Sequence, residues 1–208
     1  SNVDMKSGAP AFGTPEYMRA TQMTGQLVRF YGVPMRASGV CAANVPDGQS
    51  MWETSNSLWS AVMSGTNLVY HAAGWLEGGL IASPEKFIMD CEVLQMIQRY
   101  FEEAVTATTP DDLAFEAIRQ VGPGGHYFGC QHTQDRYQDA FYAPIVSDWR
   151  NYEAWQADGS VWTVERAHRI YKQILAEFEA PEMPGDHLEE LQRFVARRKQ
   201  EGGAPTDF

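Results

Sequence analysis

Three short triplets, each a hydroxyl residue followed by proline and an acid, constrain the fold of this chain more than any other sequence feature. They begin at Thr14, Ser83 and Thr109. At a helix start the hydroxyl can accept a hydrogen bond from a backbone N–H, and the proline loses nothing because an N–H there would have no helical partner. The acid interacts favourably with the helix dipole. Each triplet therefore predicts the start of a helix.

Two short apolar segments alternate with the predicted helices. Residues 33–40 and 67–71 have the composition of strands, whereas residues 15–30, 49–63 and 84–104 show helical signals. An alternation of helix and strand is typical of a parallel sheet, and in such folds the loops at the carboxyl ends of the strands contain the functional groups. We therefore expect the loops that follow the two strands to form the functional site.

The third of these helices has an apolar stripe. Its residues recur at spacings of three and four, which is the pattern of one helical face. We predict that this face is buried, and it consists of Phe87, Cys91, Leu94, Ile97 and Phe101.

Two parallel strands are too few to make a domain. The pattern instead predicts a helix-rich α/β fold in which the chain forms the C-terminal part of a TIM (β/α) barrel followed by a helical tail. The βα units of the barrel would occupy residues 1–120, and residues 121–208 would form a glycine-rich loop and the tail. The later helices are predicted at residues 111–120, 131–142, 148–157, 163–178 and 186–200.

The composition limits the classes of partner. The 208 residues are 44% hydrophobic, which suffices for a packed core, and the formal net charge of -11 disfavours nucleic acid and anionic membrane surfaces. No apolar run approaches the roughly 18 residues of a membrane span, and three widely spaced cysteines do not suggest a disulfide framework. Because the first residues resemble neither a signal nor a transit peptide, the sequence predicts a cytoplasmic protein with reduced thiols.

Two glycine-rich stretches combine residue types that a hydrophobic core does not require. They read GPGGHYFGCQHTQDRY at residues 122–137 and YHAAGWLEGG at residues 70–79. Glycine lets the backbone approach a ligand, while imidazole, thiolate and phenol bind cations, ligate metals or move protons. Both stretches are therefore candidate parts of a site.

The same stretches belong to a longer series of unusual strings. In chain order these are YGVPMRASGVCAANVPDGQ, NLVYHAAGWLEGGLIASPEKFIMDCE, the stretch at residues 122–137, FYAPIVSDWRNYEAW and FVARRKQEGGAPTDF. Together they resemble the C-terminal portion of the trimethylamine methyltransferase family. This family of corrinoid-dependent methyltransferases includes glycine betaine methyltransferases that lack pyrrolysine, and no pyrrolysine is written in this chain.

The resemblance implies a function for the longer protein. Such a TIM-barrel enzyme moves a methyl group from a methylated or quaternary amine to the Co(I) centre of a separate corrinoid protein. The partners implied are thus a small methylated amine and the cognate corrinoid protein, and the chain itself binds no cofactor or metal directly.

A quaternary ammonium is recognised by aromatic faces and nearby negative charge, because it has no proton to donate. Tyr70, Trp75, Tyr127 and Phe128 are the candidate substrate-binding aromatics, although each could equally be a core residue. Glu77 is the candidate catalytic carboxylate that balances the ammonium, with a structural ion pair as the alternative.

Histidines supply further candidates. His71 ends the second predicted strand and is a candidate catalytic residue, with a core histidine as the alternative. His126 and His132 would hold the loop or bind a substrate carboxylate. A zinc site that joins them to Cys130 is a weaker possibility, since no metal-binding motif supports it.

The loop after the first strand and the strand itself add two polar candidates. Asn44 is a candidate substrate-binding residue or a cap of the following helix. Arg36 is a weaker candidate for binding a substrate carboxylate.

Two other functions stay open at this point. The chain could be a non-catalytic barrel fragment that associates with itself, or a zinc-dependent enzyme. Part of a barrel exposes strand edges and apolar faces, so we expect a homo-oligomer and no activity from the 208 residues alone.

Overall fold

A computed structural model of the chain describes residues 2–102, 109 and 112–202. The contacts divide the chain into one unit that ends at Lys172 and a second that begins at Gln173. The elements follow in the order α1 (Pro15–Tyr31), β1 (Arg36–Ser38), α2 (Gly48–Met63), β2 (Leu68–Tyr70), β3 (Trp75–Leu76), a 3-10 turn (Glu77–Gly79), β4 (Ile81–Ala82), α3 (Pro84–Phe101), α4 (Phe115–Val121), α5 (Gln131–Gln134), α6 (Tyr152–Ala157), α7 (Thr163–Ala176) and α8 (Gly185–Gln200).

The first two hydroxyl–proline–acid triplets start helices as predicted. The Thr14 hydroxyl accepts from the backbone N–H of Tyr17, and the Ser83 hydroxyl accepts from that of Lys86. In the third triplet the proline and the acid lie outside the described residues. The helix that follows begins only at Phe115, so the prediction of a helix from residue 111 starts too early.

The two predicted strands pair in parallel. Ala37 of β1 lies opposite Val69 of β2, and Ser38 lies opposite Tyr70. This confirms the α/β alternation and places the carboxyl ends of both strands at one edge. The sequence did not predict a second, antiparallel pair, in which Trp75 of β3 lies opposite Ala82 of β4. Strands of two residues are too short to produce an alternating pattern.

Helix α2 packs against α1, α3 and both parallel strands. Its contact with α1 is close, because a Cβ atom on Gly25 would lie only 2.5 Å from the backbone oxygen of Ser64. Small side chains on α2 allow this approach, and Ser57, Ser60 and Ala61 are buried there. The helix therefore fixes the sheet and the loops that leave it.

The buried face of α3 differs from the predicted one. Phe87 and Phe101 are each 51% exposed. Ile97 of the predicted face is buried, and the other buried residues of this helix are Lys86, Ile88, Met89, Asp90 and Glu92. The apolar pattern did not predict the full buried face, because three ionisable side chains of α3 are buried together with their hydrogen-bond partners.

The helical tail is only partly as predicted. α5 ends at Gln134 and α6 begins at Tyr152, so both are shorter than expected. Ala167 of α7 is fully buried in a cluster with Ile88, Met89 and Val146, which joins the start of α7 to α3. The second unit contains α8. None of the described residues of this helix is buried.

None of the helices in the described residues is long and apolar enough to cross a membrane. The three cysteines, Cys41, Cys91 and Cys130, are free thiols.

Candidate functional site

The loops that follow β1 and β2 are joined by backbone hydrogen bonds. The N–H of Glu77 donates to the carbonyl of Ala43 at 2.9 Å, and the N–H of Gly78 donates to that of Cys41 at 2.9 Å. Parallel strands end at the same edge of a sheet, so both loops start side by side. The loops expected to form the site are therefore in contact.

Three predicted site residues come together at this edge and form what we call the aromatic cluster: Tyr70, His71 and Trp75. The ring centroids of Tyr70 and His71 are 3.8 Å apart, and those of His71 and Trp75 are 5.1 Å apart in an edge-on arrangement. Tyr70 is 47% exposed, while His71 and Trp75 are half-buried. The cluster thus presents aromatic surface to solvent without being a closed core.

A cavity of about 660 Å³ lies beside the aromatic cluster. Tyr70, His71 and Gly78 line one part of it, and Arg36 and Tyr17 line another. The guanidinium carbon of Arg36 lies 4.8 Å from the ring centre of Tyr70, a cation–π contact. The cavity therefore has aromatic, imidazole and cationic groups in its wall.

Two predicted catalytic residues have an uncommon backbone conformation. His71 and Glu77 both have φ of +49°, and among the described non-glycine residues only Ala114 and Ser160 share a positive φ. This conformation costs a non-glycine residue on the order of 1 kcal/mol and is concentrated at functional sites. The strain at these two positions supports a functional role for them.

His71 is held beside β1 and the glycine turn. Its Nδ1 lies 3.4 Å from the Ser38 hydroxyl, and a Cβ atom on Gly79 would touch its ring at 3.4 Å. Burial lowers the pKa of the His71 imidazole, and the positive charge of Arg36 lowers it further. The neutral imidazole is therefore favoured.

Glu77 is exposed, and its carboxylate has no hydrogen bond or ion pair with any other described residue. Its backbone, by contrast, is fixed by the bond to Ala43. The structural ion pair considered as an alternative is absent from the described part of the chain. The carboxylate remains available to a ligand.

The second glycine-rich stretch forms a separate group. The rings of His126 and Phe128 are 5.6 Å apart, and both Tyr127 and Phe128 are exposed. His132 lies on α5, next to the buried Cys130. Among the described residues, no ring contact or hydrogen bond links this stretch to the aromatic cluster. The two predicted halves of a cage are thus not in direct ring or hydrogen-bond contact within the described part of the chain.

No group of three or more His, Cys, Asp or Glu side chains in the described residues is arranged to hold a metal ion. This applies to His126, Cys130 and His132, on which the zinc hypothesis depends. The loop after β1 also differs from one expectation, because Asp47 rather than Asn44 caps α2 by accepting from the N–H of Ser50. Asn44 is exposed in the same loop and stays a candidate for substrate binding.

Sequence reasoning missed two acids that support the site, of which Glu53 is half-buried and Asp90 is buried. Glu53 of α2 accepts the backbone N–H groups of Ala42 and Ala43 at 2.8 and 3.0 Å. Asp90 of α3 accepts that of Gly74 at 2.9 Å. For Asp90 the sequence offers one signal, its spacing of four residues from Lys86, with Phe87, Ile88 and Met89 between them.

Comparison with known proteins identifies the family of this chain. The model of the trimethylamine methyltransferase (MTTB) family matches residues 1–203. A glycine betaine methyltransferase of Desulfitobacterium hafniense (strain Y51) is 37% identical over 201 residues, which cover 96% of this chain and 41% of the relative. A trimethylamine methyltransferase, MttB2, of Methanosarcina mazei is 28% identical over 196 residues, covering 94% of this chain and 39% of the relative.

A third relative, the trimethylamine methyltransferase MttB of Methanosarcina thermophila, is 27% identical over 193 residues, or 92% of this chain and 39% of the relative. The chain therefore spans about two-fifths of the length of the curated relatives it matches. Since the family match extends over nearly all of its residues, the chain belongs to the trimethylamine methyltransferase family.

Proposed function

We propose that this chain forms the C-terminal part of a TIM-barrel methyltransferase that moves a methyl group from a methylated or quaternary amine to a corrinoid protein. The observation that supports this most is the family match over residues 1–203, which includes both loops of the aromatic cluster. The parallel β1–β2 pair, with helix α2 between the strands, is compatible with two units of a barrel. The remaining strands would extend the sheet from its free edges.

The aromatic cluster suits the cationic end of such a substrate. A quaternary ammonium over the face of tyrosine or tryptophan gains about 0.5–2 kcal/mol per contact. Tyr70 and Trp75 supply the faces, and the carboxylate of Glu77, which has no partner among the described residues, would balance the charge. Neutral His71 between the rings adds no opposing charge.

Arg36 suits a second, anionic end. Its guanidinium can bind a carboxylate through two hydrogen bonds, and it lines the same cavity as Tyr70 and His71. A cation alone would be repelled by Arg36, whereas a zwitterion satisfies both charges. The site thus favours a betaine over a simple methylated amine.

The open side of the cluster suits a large methyl acceptor. Tyr70 is about half exposed and Glu77 is exposed, so a methyl group held there would be accessible to a broad, planar partner. A Co(I) corrinoid supplies the nucleophile that accepts the methyl group. As the C–N bond breaks, its electron pair stays on nitrogen and the amine leaves uncharged, so no general acid is needed. The chain's contribution is to orient the methyl group and exclude water.

The test measures methyl transfer to a Co(I) corrinoid from glycine betaine, trimethylamine and tetramethylammonium. The loss of Co(I) absorbance monitors the reaction. It compares the 208-residue chain with the same chain joined to the remaining three-fifths of the Desulfitobacterium relative. We expect transfer from glycine betaine by the joined protein only. Absence of transfer from every amine would refute the function, and turnover by the 208 residues alone would refute the need for the other strands.

A metal analysis of the same preparation addresses the zinc hypothesis. We expect no stoichiometric zinc. Stoichiometric zinc that is lost on replacing Cys130 with serine would favour a zinc enzyme instead.

A further inference from the structure

A buried ion pair lies beneath the aromatic cluster. Lys86 and Asp90, one turn apart on α3, are 0% and 1% exposed and form a salt bridge with each other. The Lys86 ammonium also donates to the Thr54 hydroxyl of α2 at 2.8 Å. Thr54 is itself 1% exposed, so the group connects two helices without contact with water.

The second oxygen of Asp90 is bound to the backbone of the site. It accepts the N–H of Gly74 at 2.9 Å, while the Gly74 carbonyl accepts the N–H of Ser83 at 2.9 Å. Gly74 has φ of +83°, and a Cβ atom there would lie 3.1 Å from the Cβ of Phe87. Both polar groups of Gly74 are therefore held by α3 and its N-cap residue, and the residue after Gly74 is Trp75.

The other end of residues 74–77 is held independently. Glu53 accepts the N–H groups of Ala42 and Ala43, and the Ala43 carbonyl accepts the N–H of Glu77. Trp75 and Glu77 thus lie on a segment of four residues that is anchored at each end through a carboxylate.

Stability alone does not account for the Lys86–Asp90 pair. Removing both charges from water is costly, and replacing a buried pair by apolar residues of similar size is often neutral or stabilising. Conversely, an apolar pair would leave the N–H of Gly74 without an acceptor. The pair therefore gives the chain a defined Gly74 position rather than a large gain in stability.

We propose that Lys86 and Asp90 are positioning residues, which fix the backbone at Gly74 and thereby set the placement of Trp75 and Glu77 for the ammonium group of the substrate. The substrate part of this inference rests on the proposed function. The placement of residues 74–77 is independent of the proposed function, since it depends only on contacts within the chain.

The same helix offers a matched control. Glu92, 4% exposed, accepts the backbone N–H groups of Ile145 and Val146 at 2.7 and 2.6 Å. It is a buried carboxylate of α3 that holds a different loop. If the variants only weaken α3, the Glu92 and Asp90 variants should change the Gly74 amide and the Trp75 signal alike. If Asp90 has a positioning role, only the Asp90 variant should change them.

The experiment compares the double variant Lys86→Met/Asp90→Leu with Glu92→Gln in the 208-residue chain. Hydrogen exchange of the Gly74 amide reports the anchor, and the ¹⁹F signal of 5-fluorotryptophan at position 75, assigned with Trp75→Phe, reports the placement of the ring. Affinity for tetramethylammonium is measured by titration of the same signal, and the thermal midpoint is recorded for each variant.

We expect the double variant to keep its thermal midpoint, to exchange the Gly74 amide about tenfold faster and to bind tetramethylammonium about tenfold more weakly, as expected for loss of a charge-assisted hydrogen bond. Its Trp75 signal should shift or broaden. Glu92→Gln should lower the thermal midpoint and leave the Gly74 amide and the Trp75 signal unchanged.

A folded double variant with unchanged Gly74 exchange and an unchanged Trp75 signal would overturn the proposal. If the double variant does not fold, Asp90→Asn decides instead, because its neutral acceptor should hold the Gly74 amide less well, and unchanged exchange would again overturn the proposal. If the unmodified chain binds neither glycine betaine nor tetramethylammonium, the proposed ligand class is refuted, while the exchange and the ¹⁹F signal still decide the positioning role.

Discussion

Arg36 stacks its guanidinium on the ring of Tyr70, with 4.8 Å between the guanidinium carbon and the ring centre. The two residues lie on adjacent parallel strands, in which Arg36 pairs with Leu68 and Ser38 pairs with Tyr70. Side chains two positions apart point to the same face of a strand, so Arg36, Ser38 and Tyr70 share one face. Arg36 forms no ion pair with the other described residues, which leaves its charge available to a ligand.

This arrangement predicts that Arg36 selects substrates with a carboxylate. In Arg36→Gln we expect affinity for glycine betaine to fall about tenfold, because a charge-assisted hydrogen-bonded pair is lost. Affinity for tetramethylammonium should stay the same or increase. Calorimetric titration of both ligands checks this. Arg19→Gln, which removes an exposed arginine of α1, is the charge-matched control and should change neither affinity.

Trp75 is expected to bind the ammonium through its ring. Trp75→Leu keeps an apolar side chain but removes the π face, so the dissociation constant for tetramethylammonium should rise between about twofold and thirtyfold. NMR titration of the ligand methyl signal measures it. Trp162→Leu serves as the control, since Trp162 is 70% exposed and outside the cluster. Equal losses in both variants would contradict the assignment.

Glu77 should show a conflict between stability and binding. Glu77→Gly relieves a left-handed backbone and should raise the free energy of unfolding by about 1 kcal/mol, while removing the carboxylate should weaken tetramethylammonium binding. Ala114→Gly removes the same backbone strain at another place and should stabilise the chain without a change in binding. Urea unfolding and ligand titration test both statements. A Glu77→Gly variant that binds as well as the original chain would exclude a role for the carboxylate.

The pKa of His71 should lie below the usual histidine value of about 6.5. A lowered pKa means that the neutral ring contributes stability above about pH 6.5, and that this contribution is lost as the pH falls through the pKa of the folded chain. Tetramethylammonium binding should weaken over the same acidic range, because the imidazolium repels it. Arg36→Gln should raise the His71 pKa.

An NMR titration of the ring proton, assigned with His71→Gln, measures these effects. A His71 pKa above 6.5, or one that does not respond to Arg36→Gln, would disagree with the electrostatics described for this residue.

The 208-residue chain is expected to associate with itself. The parallel sheet formed by the described residues has two strands, and Leu68 and Tyr70 on one face are 58% and 47% exposed. Unpaired strand edges next to apolar surface favour association. Sedimentation equilibrium should detect oligomers, and Leu68→Lys should reduce them. Met5→Lys adds the same charge at a residue that is 90% exposed and should have little effect, whereas a monomer at all concentrations would refute the expectation.

Local signals in the sequence predicted the first helices and the parallel strand pair. The hydroxyl groups of Thr14 and Ser83 determine helix starts because a cap needs only neighbouring residues. The parallel pairing of β1 and β2 followed from the alternation of elements. The predicted face of α3 was right for Ile97 and wrong for Phe87 and Phe101. A hydrophobic pattern does not show that ionisable residues of the same helix are buried with partners from distant segments, as Lys86, Asp90 and Glu92 are.

The candidate site was predicted in part. Tyr70, His71 and Trp75 are near one another in the chain, so a short turn is sufficient to bring their rings together. The second glycine-rich stretch had similar composition, but composition does not determine where a loop lies. Its grouping with the first stretch was not observed among the described residues.

The sequence by itself determined the helix-rich α/β pattern and membership of the trimethylamine methyltransferase family, since caps, periodicity and ordered motifs are properties of local sequence. Only the tertiary structure decided that Asp90 holds Gly74, that Ala43 holds Glu77 and that Arg36 stacks on Tyr70. These contacts join residues 16 to 34 positions apart, and their distances depend on how helices α2 and α3 pack against the strands. That packing depends on many residues that are distant in the sequence. Local sequence patterns therefore do not predict these contacts, which form only in the folded chain.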